Sequence, residues 1–425
     1  MKITADHAVE DSRRLLDDLF ANTSLQHVGF RFWDDTSWPD ATPRRATIVL
    51  KHPGALRQMF EAGSEKGLAE SYLHDDFDIE GDAEAAFEIA DALAQGRGWR
   101  RTLSLGILLR KLPAIQRHES HRAWQGGDGR RHSEARDREA ISFHYDVSNE
   151  FYRLWLDRHM VYSCAYFEQP DFDLDAAQTA KLDHLCRKLR LKPGQRLLDI
   201  GCGWGGLSMH AARHYGAQVT GITLSERQLE LAQARAAEGG LGGRVRFQLC
   251  DYREVKTAEP FDAIVSVGMS EHVGTENQPT YYRTVRGLLK PGGVFLNHAI
   301  GEGCRYRPSQ GPSFIDEYVF PDSAVPPIRT VVAAAESAGF EVRDVENLRE
   351  HYARTLRFWV RRLEDKHEEA LAFVNEPTYR VWRLYMAGSA HGFAQGRMAI
   401  YQVLLANPDD TGDAHLPLTR ADWYR

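Results

Sequence analysis

Cysteine is scarce in this chain: five residues among 425, at positions 164, 186, 202, 250 and 304. No two form a Cys-x-x-Cys pair and their number is odd, so neither a zinc site nor a disulfide framework is expected. Free thiols suit a reducing cytoplasm. No stretch approaches the roughly 20 uninterrupted apolar residues that a spanning helix requires. The opening Met1-Lys-Ile-Thr-Ala-Asp6 lacks the apolar segment and small-residue cleavage site of a secretory signal. An excess of positive charge is missing too. The formal net charge of -7 argues against a protein that wraps nucleic acid, and no nucleic-acid partner is expected.

What is present is an ordinary globular composition, 43% hydrophobic and 27% charged, in a chain long enough for two domains. Residues 1–95 mix helical patterns with one alternating segment, Arg45-Ala-Thr-Ile-Val-Leu-Lys51, and read as a small α+β or mostly helical domain. Residues 96–139 differ, with 11 Lys/Arg against 4 Asp/Glu between Arg97 and Arg138. Within them Trp99-Arg-Arg-Thr-Leu-Ser-Leu-Gly-Ile-Leu-Leu-Arg-Lys-Leu112 sets apolar residues between clustered cations. That pattern fits a helix lying in a membrane interface, or one packed on its own protein beside a solvated linker.

From residue 140 to 425, apolar runs alternate with helical patterns at βαβ spacing. The expected strands are Arg196–Ile200, Ala217–Ile222, Val245–Leu249, Phe261–Val267 and Val294–His298, forming a parallel sheet. Leu288-Leu-Lys-Pro-Gly-Gly293 stops a helix and feeds the last of these. Arg397–Leu405 reads as an antiparallel edge strand.

After the first of these strands the chain runs Asp199-Ile-Gly201-Cys-Gly203-Trp-Gly205-Gly206 into a helix. Glycines there let the backbone turn sharply and approach a ligand, and free amides at the helix start favour a carboxylate. The turn alone permits several nucleotides. A dinucleotide site places an acidic residue at the end of strand two, but here the chain reads Gly221-Ile-Thr-Leu-Ser225. Thr223 and Gln228 can hold ribose hydroxyls instead, and Asp251-Tyr252 after strand three can meet an adenine. Each could equally be a cap or surface residue.

Four separated motifs in order, the glycine turn, Thr223-Leu-Ser-Glu-Arg-Gln228, Ser266-Val-Gly-Met-Ser-Glu-His-Val-Gly274 and Val161-Tyr-Ser-Cys-Ala-Tyr-Phe167, resemble the cyclopropane-fatty-acyl-phospholipid synthases and their mycolic-acid relatives. The likeness runs from about His144-Tyr-Asp-Val-Ser-Asn149 to Gln402. Gly67-Leu-Ala-Glu-Ser-Tyr72 also looks like the N-terminal domain of the bacterial phospholipid enzymes, which the mycolic-acid relatives lack. The resemblance implies a Rossmann-like class I S-adenosylmethionine methyltransferase with a small N-terminal domain. It further implies methylene transfer to the cis double bond of an acyl chain, with bound bicarbonate as base.

Carried over by position, the cofactor residues are Tyr162, Ser163, Leu197, Asp199, Gly201, Gly203, Gly205, Thr223, Leu224, Gln228, Tyr252 and Arg253, and Asp251 joins them from its place after strand three. The bicarbonate cage is Cys164, Glu271, His298, the Ile300 backbone and Tyr352. Without the family, Cys164 reads as a small buried hydrophobe and His298 as a core histidine. Tyr145, Tyr162, Tyr166, Phe167 and Phe314 are candidates to face a carbocation on the chain. Two departures stand out. Tyr252-Arg253 replaces the Trp-Glu of the mycolic-acid branch, and Ser389 stands where some phospholipid enzymes have Cys. The implied partner is an anionic phospholipid surface on the inner face of the membrane, met peripherally by a homodimer. The competing expectation is the same fold stopping at a methyl or methylene branch without closing a ring. A noncatalytic lipid-binding relative would show degenerate glycines or a lost Glu271, His298 or Tyr352, and none is seen.

Overall fold

The computed structural model describes residues 5–21, 25–95, 105–115, 123–124, 126, 131–145, 147–307 and 313–424. Residues 99–104 of the stretch expected as an interfacial helix lie outside them, as does the side chain of Tyr145. The chain divides into two compact units. One holds residues 1–124, 309–319 and 375–391; the other holds 125–308, 320–374 and 392–425. Residues 309–319 and 375–391, expected in a continuous 140–425 domain, therefore cluster with the N-terminal region.

The first unit is built on a four-stranded sheet. Its strands β1 (Val28–Arg31), β2 (Ser37–Trp38), β3 (Ala46–Leu50) and β4 (Phe77–Gly81) run in the order β2-β1-β3-β4. Ala46, Ile48 and Leu50 turn inward while Thr47 and Val49 are half-buried, the period of two read in the sequence. In this unit Arg57 donates to the Leu112 carbonyl at 3.1 Å, and Leu112 is buried. Part of the apolar stripe of the basic segment therefore packs on its own protein, while Ile107 remains 62% exposed.

The second unit carries β5 (Arg196–Ile200), β6 (Gln218–Thr223), β7 (Val245–Leu249), β8 (Phe261–Val267), β9 (Leu289–Glu302), β10 (Glu341–Asn347) and β11 (Met398–Ala406) in the order β10-β11-β9-β8-β5-β6-β7. The five expected strands are present and mutually parallel. Neighbouring residues of β5 feed opposite faces: Leu197 joins one apolar layer with Leu185 and Val219, and Leu198 joins the other with Ile222 and Phe295. β11 is antiparallel as expected but is not the edge. β10 pairs with it and takes the edge position. Among the described residues no helix is long and apolar enough to cross a membrane.

Candidate active site

Strand β5 delivers the chain into the glycine turn. At Gly205 the backbone adopts φ +79, and a Cβ there would lie 2.5 Å from Phe247 Cζ, so only glycine lets the turn close on β7. Helix Gly206–His214 starts directly after it. The turn borders a cavity of about 130 Å³ over the C-terminal ends of β5, β6, β7 and β8, where ligands of open α/β sheets bind.

Tyr162, Ser163, Asp199, Gly201, Gly203, Thr223, Leu224, Gln228, Asp251, Tyr252 and Arg253 all line this cavity. Leu197 and Gly205 do not. Leu197 is fully buried in the apolar layer, and Gly205 shapes the turn from behind. Two amides at the head of the turn, before the helix start, are in use: Gly201 N and Cys202 N both donate to the Ile222 carbonyl at 2.9 Å. That bond ties the turn to β6.

At the β6 end, Thr223 Oγ1 donates to Gln228 Oε1 at 2.8 Å, so the two polar groups that replace the missing acid share one wall. Asp251 is gripped by Arg253, Nε to Oδ1 at 2.8 Å and NH2 to Oδ2 at 2.7 Å, and Arg253 also reaches Asp137 at 3.0 Å. These carboxylates raise the guanidinium pKa further. Asp137 lies on helix Glu134–Tyr145, which also places Ile141 on the cavity wall. The Arg253 departure thus builds a tie between the β7 end of the cavity and this helix.

Lys181 and His272 also line the cavity, and neither was singled out from the sequence. Lys181 belongs to a helix, Leu174–Lys188, whose inward face is otherwise mainly apolar, and a charge on such a face was the available signal.

The residues expected to form the anion cage are separate from that cavity wall but adjoin it. Gly268, on the wall, donates its amide to the His298 carbonyl at 2.8 Å. Glu271 Oε1 accepts the Ile300 amide at 2.8 Å, so the N–H assigned to the anion by family likeness is here held by the carboxyl group. Burial pushes the Glu271 pKa up to about 7 against this hydrogen bond. Glu271 Oε2 has no partner among the described residues.

His298 is fully buried, which holds its pKa well below the usual imidazole range, and the fields of Lys181 and Lys188 lower it further. Gln402 Nε2 donates to His298 Nδ1 at 3.2 Å, which leaves the ring proton on Nε2. That Nε2 has no partner among the described residues either.

Cys164 Sγ lies 3.8 Å from the Leu348 carbonyl, which also accepts the Tyr352 amide at 3.1 Å, so the two meet at one turn. Burial raises the thiol pKa, and Cys164 is therefore a neutral thiol rather than a nucleophile.

Aromatic rings connect the two regions: Tyr162 packs on Trp359 at 5.2 Å between centroids, and Trp359 on Tyr352 at 6.0 Å. Tyr166 and Phe167 turn elsewhere. Tyr166 lies flat against His184 and His351, at 4.3 and 5.0 Å, and Phe167 stacks on Phe358. Phe314 and Ser389 belong to the first unit.

Residues 132–403 match the family described as mycolic acid cyclopropane synthetase. The chain is 42% identical over 398 residues to the "Probable fatty acid methyltransferase" of Pseudomonas putida, covering 93% of this chain and 95% of that one. It is 38% identical over 269 residues to the cyclopropane-fatty-acyl-phospholipid synthase of Escherichia coli, covering 63% and 68%. The solved mycolic acid cyclopropane synthase CmaA1, complexed with SAH and CTAB, superposes with a TM-score of 0.59 at 35% identity over 63% of this chain and 97% of that one. The family match takes in every residue that lines the cavity, from Asp137 to Val273, and the chain belongs to the mycolic acid cyclopropane synthetase family as an S-adenosylmethionine-dependent methyltransferase.

Proposed function

We propose that the enzyme adds a one-carbon unit across the cis double bond of an unsaturated acyl chain of a membrane phospholipid and closes a cyclopropane ring. The observation that carries this reading is the Glu271–His298 pocket. A carboxyl oxygen and an imidazole N–H, both deeply buried, lack partners among the described residues, which natural interiors rarely allow without a ligand or water to meet them. Those donors and acceptors fit a small oxyanion such as bicarbonate.

When bound, S-adenosylmethionine supplies an electrophilic methyl carbon and bicarbonate a proton acceptor. The chain's own residues do the rest. Asp251, Thr223 and Gln228 fix the nucleoside; Tyr162 and Trp359 keep the intervening space dry and present ring faces to positive charge, each worth roughly 0.5–2 kcal/mol. Attack by the alkene leaves a cation on the acyl chain, and loss of a proton from the transferred methyl closes the ring. Glu271, His298 and Tyr352 would orient the base, replacing an encounter by a local transfer.

One observation favours a second reading. The match to the Pseudomonas putida relative spans 93% of the chain, and a fatty acid methyltransferase would release the proton from the chain instead, leaving a branch. Lipid from an expressing host, analysed by mass spectrometry before and after ozonolysis, separates the two. A ring resists cleavage, and the methyl-branched alkene left by proton loss from the chain does not. The acyl chain must leave a bilayer to reach a buried site, and exposed Ile107 and Ile115, beside Arg110 and Lys111, support docking on anionic lipid. Vesicle flotation tests this; binding that ignores both lipid charge and salt would overturn it.

A further inference from the structure

Lys181 carries a cation into the interior. Its side chain is buried at 1% exposure on the wall of the cofactor cavity, a costly position unless an opposite charge meets it. Nζ makes one hydrogen bond, to Ser163 Oγ at 2.9 Å, and enters no ion pair among the described residues.

The two carboxylates whose fields reach it are bonded elsewhere. Asp157 accepts the amides of His159 and Val161 at 2.7 and 2.8 Å, and Asp199 accepts the Ser208 hydroxyl at 2.6 Å. Two of the three ammonium N–H groups therefore have only the cavity to address. Desolvation accordingly lowers the Lys181 pKa to about 8.

The cavity has two ends. Asp251, Tyr252, Thr223 and Gln228 stand over β6 and β7, where the nucleoside fits, and Ser163 and Lys181 stand across β5. A cofactor laid along it brings its amino-acid end to Lys181. The amides of Gly201 and Cys202, which could have met a carboxylate there, are already spent on the Ile222 carbonyl. We propose that Lys181, braced by Ser163, binds the α-carboxylate of S-adenosylmethionine and so sets the depth at which the sulfonium sits. The assignment concerns the cofactor and holds whichever lipid product forms.

Calorimetric titration with three ligands tests it: S-adenosylhomocysteine, its decarboxylated analogue, and 5′-methylthioadenosine, which lacks the amino-acid end. Lys181→Met is expected to weaken S-adenosylhomocysteine by roughly 10- to 100-fold, the worth of a charge-assisted hydrogen bond. It should leave 5′-methylthioadenosine unchanged, and in turnover KM for the cofactor should rise more than kcat falls. Equal weakening of both ligands, or none of either, would overturn the assignment. Should Lys181→Met fail to fold, the wild-type enzyme decides. It must bind the decarboxylated analogue at least tenfold more weakly than S-adenosylhomocysteine, by the same reasoning, and equal affinities overturn the proposal.

Discussion

Replacing Glu271 by Gln gives two readouts of opposite sign. Gln keeps the shape and an oxygen for the Ile300 amide but removes the charge. Burial raises the folded-state pKa from 4.5 to about 7. Between those values the folded protein binds a proton that the unfolded chain has lost, so stability is full below 4.5 and falls as pH rises to about 7. The difference corresponds to roughly 3 kcal/mol at most. Glu271→Gln has no such loss. It is expected to match the wild type in acid and to exceed it at about pH 8 by up to about 3 kcal/mol, several degrees in Tm. In a vesicle assay with S-adenosylmethionine, its kcat/KM should fall by roughly 100-fold, since a group that places the base is gone. A Tm difference that does not grow between acid and alkaline buffer would refute the burial argument. An undiminished yield of modified lipid would refute the cage.

Three further perturbations follow from single contacts. Gly205→Ala sets a Cβ against Phe247 in a left-handed backbone, and denaturant unfolding should show a loss of about 2 kcal/mol or more together with weakened cofactor binding. Gln402→Leu removes the donor to His298 Nδ1 and frees the ring to change tautomer. Single-turnover rates should drop about tenfold while S-adenosylhomocysteine affinity stays put. Arg253→Ala releases Asp251 and Asp137 together. Cofactor affinity should fall about tenfold, and the amides of residues 134–145 should exchange faster, as a charge-assisted tie is lost.

β5 and β8 could be read directly because each is a largely buried apolar run closed by glycine, and a strand buried on both faces needs little else, while β7 shows the alternation of a strand with one solvated face. β10 could not. Its residues are all exposed or half-buried, since it has only β11 to pair with, and Glu341-Val-Arg-Asp-Val-Glu-Asn347 carries no unbroken apolar signal. Missing β10 is what put β11 at the edge, although its run of apolar residues after Gln402, all buried, is not what an edge requires. The glycine turn and the Thr223–Gln228 wall are local in sequence and were legible. The pocket of Cys164, Glu271, His298 and Tyr352 draws on four distant segments, so only likeness to a family could assemble it beforehand. Lys181 escaped because a lone lysine in a helical pattern ordinarily faces water.

The electrostatics of the pocket divide the proposed reaction between two regions. His298 stays neutral, and Glu271, its pKa raised to about 7, carries only part of a negative charge at neutral pH. The buried ammoniums of Lys181 and Lys188 act on His298 from nearby, each more strongly than the opposing Glu346 carboxylate. Such a place favours an anion and disfavours a cation. A positive charge developing on an acyl chain is therefore better accommodated on the side of Tyr162, Trp155 and Trp359, whose rings pack within 5.5 Å of one another, than beside Glu271. The base then stands on one side of the reacting carbons and the cation on the other, a separation that favours removing a proton from the carbon between them. In the proposed reaction that carbon is the transferred methyl, and its deprotonation is the step that closes a ring.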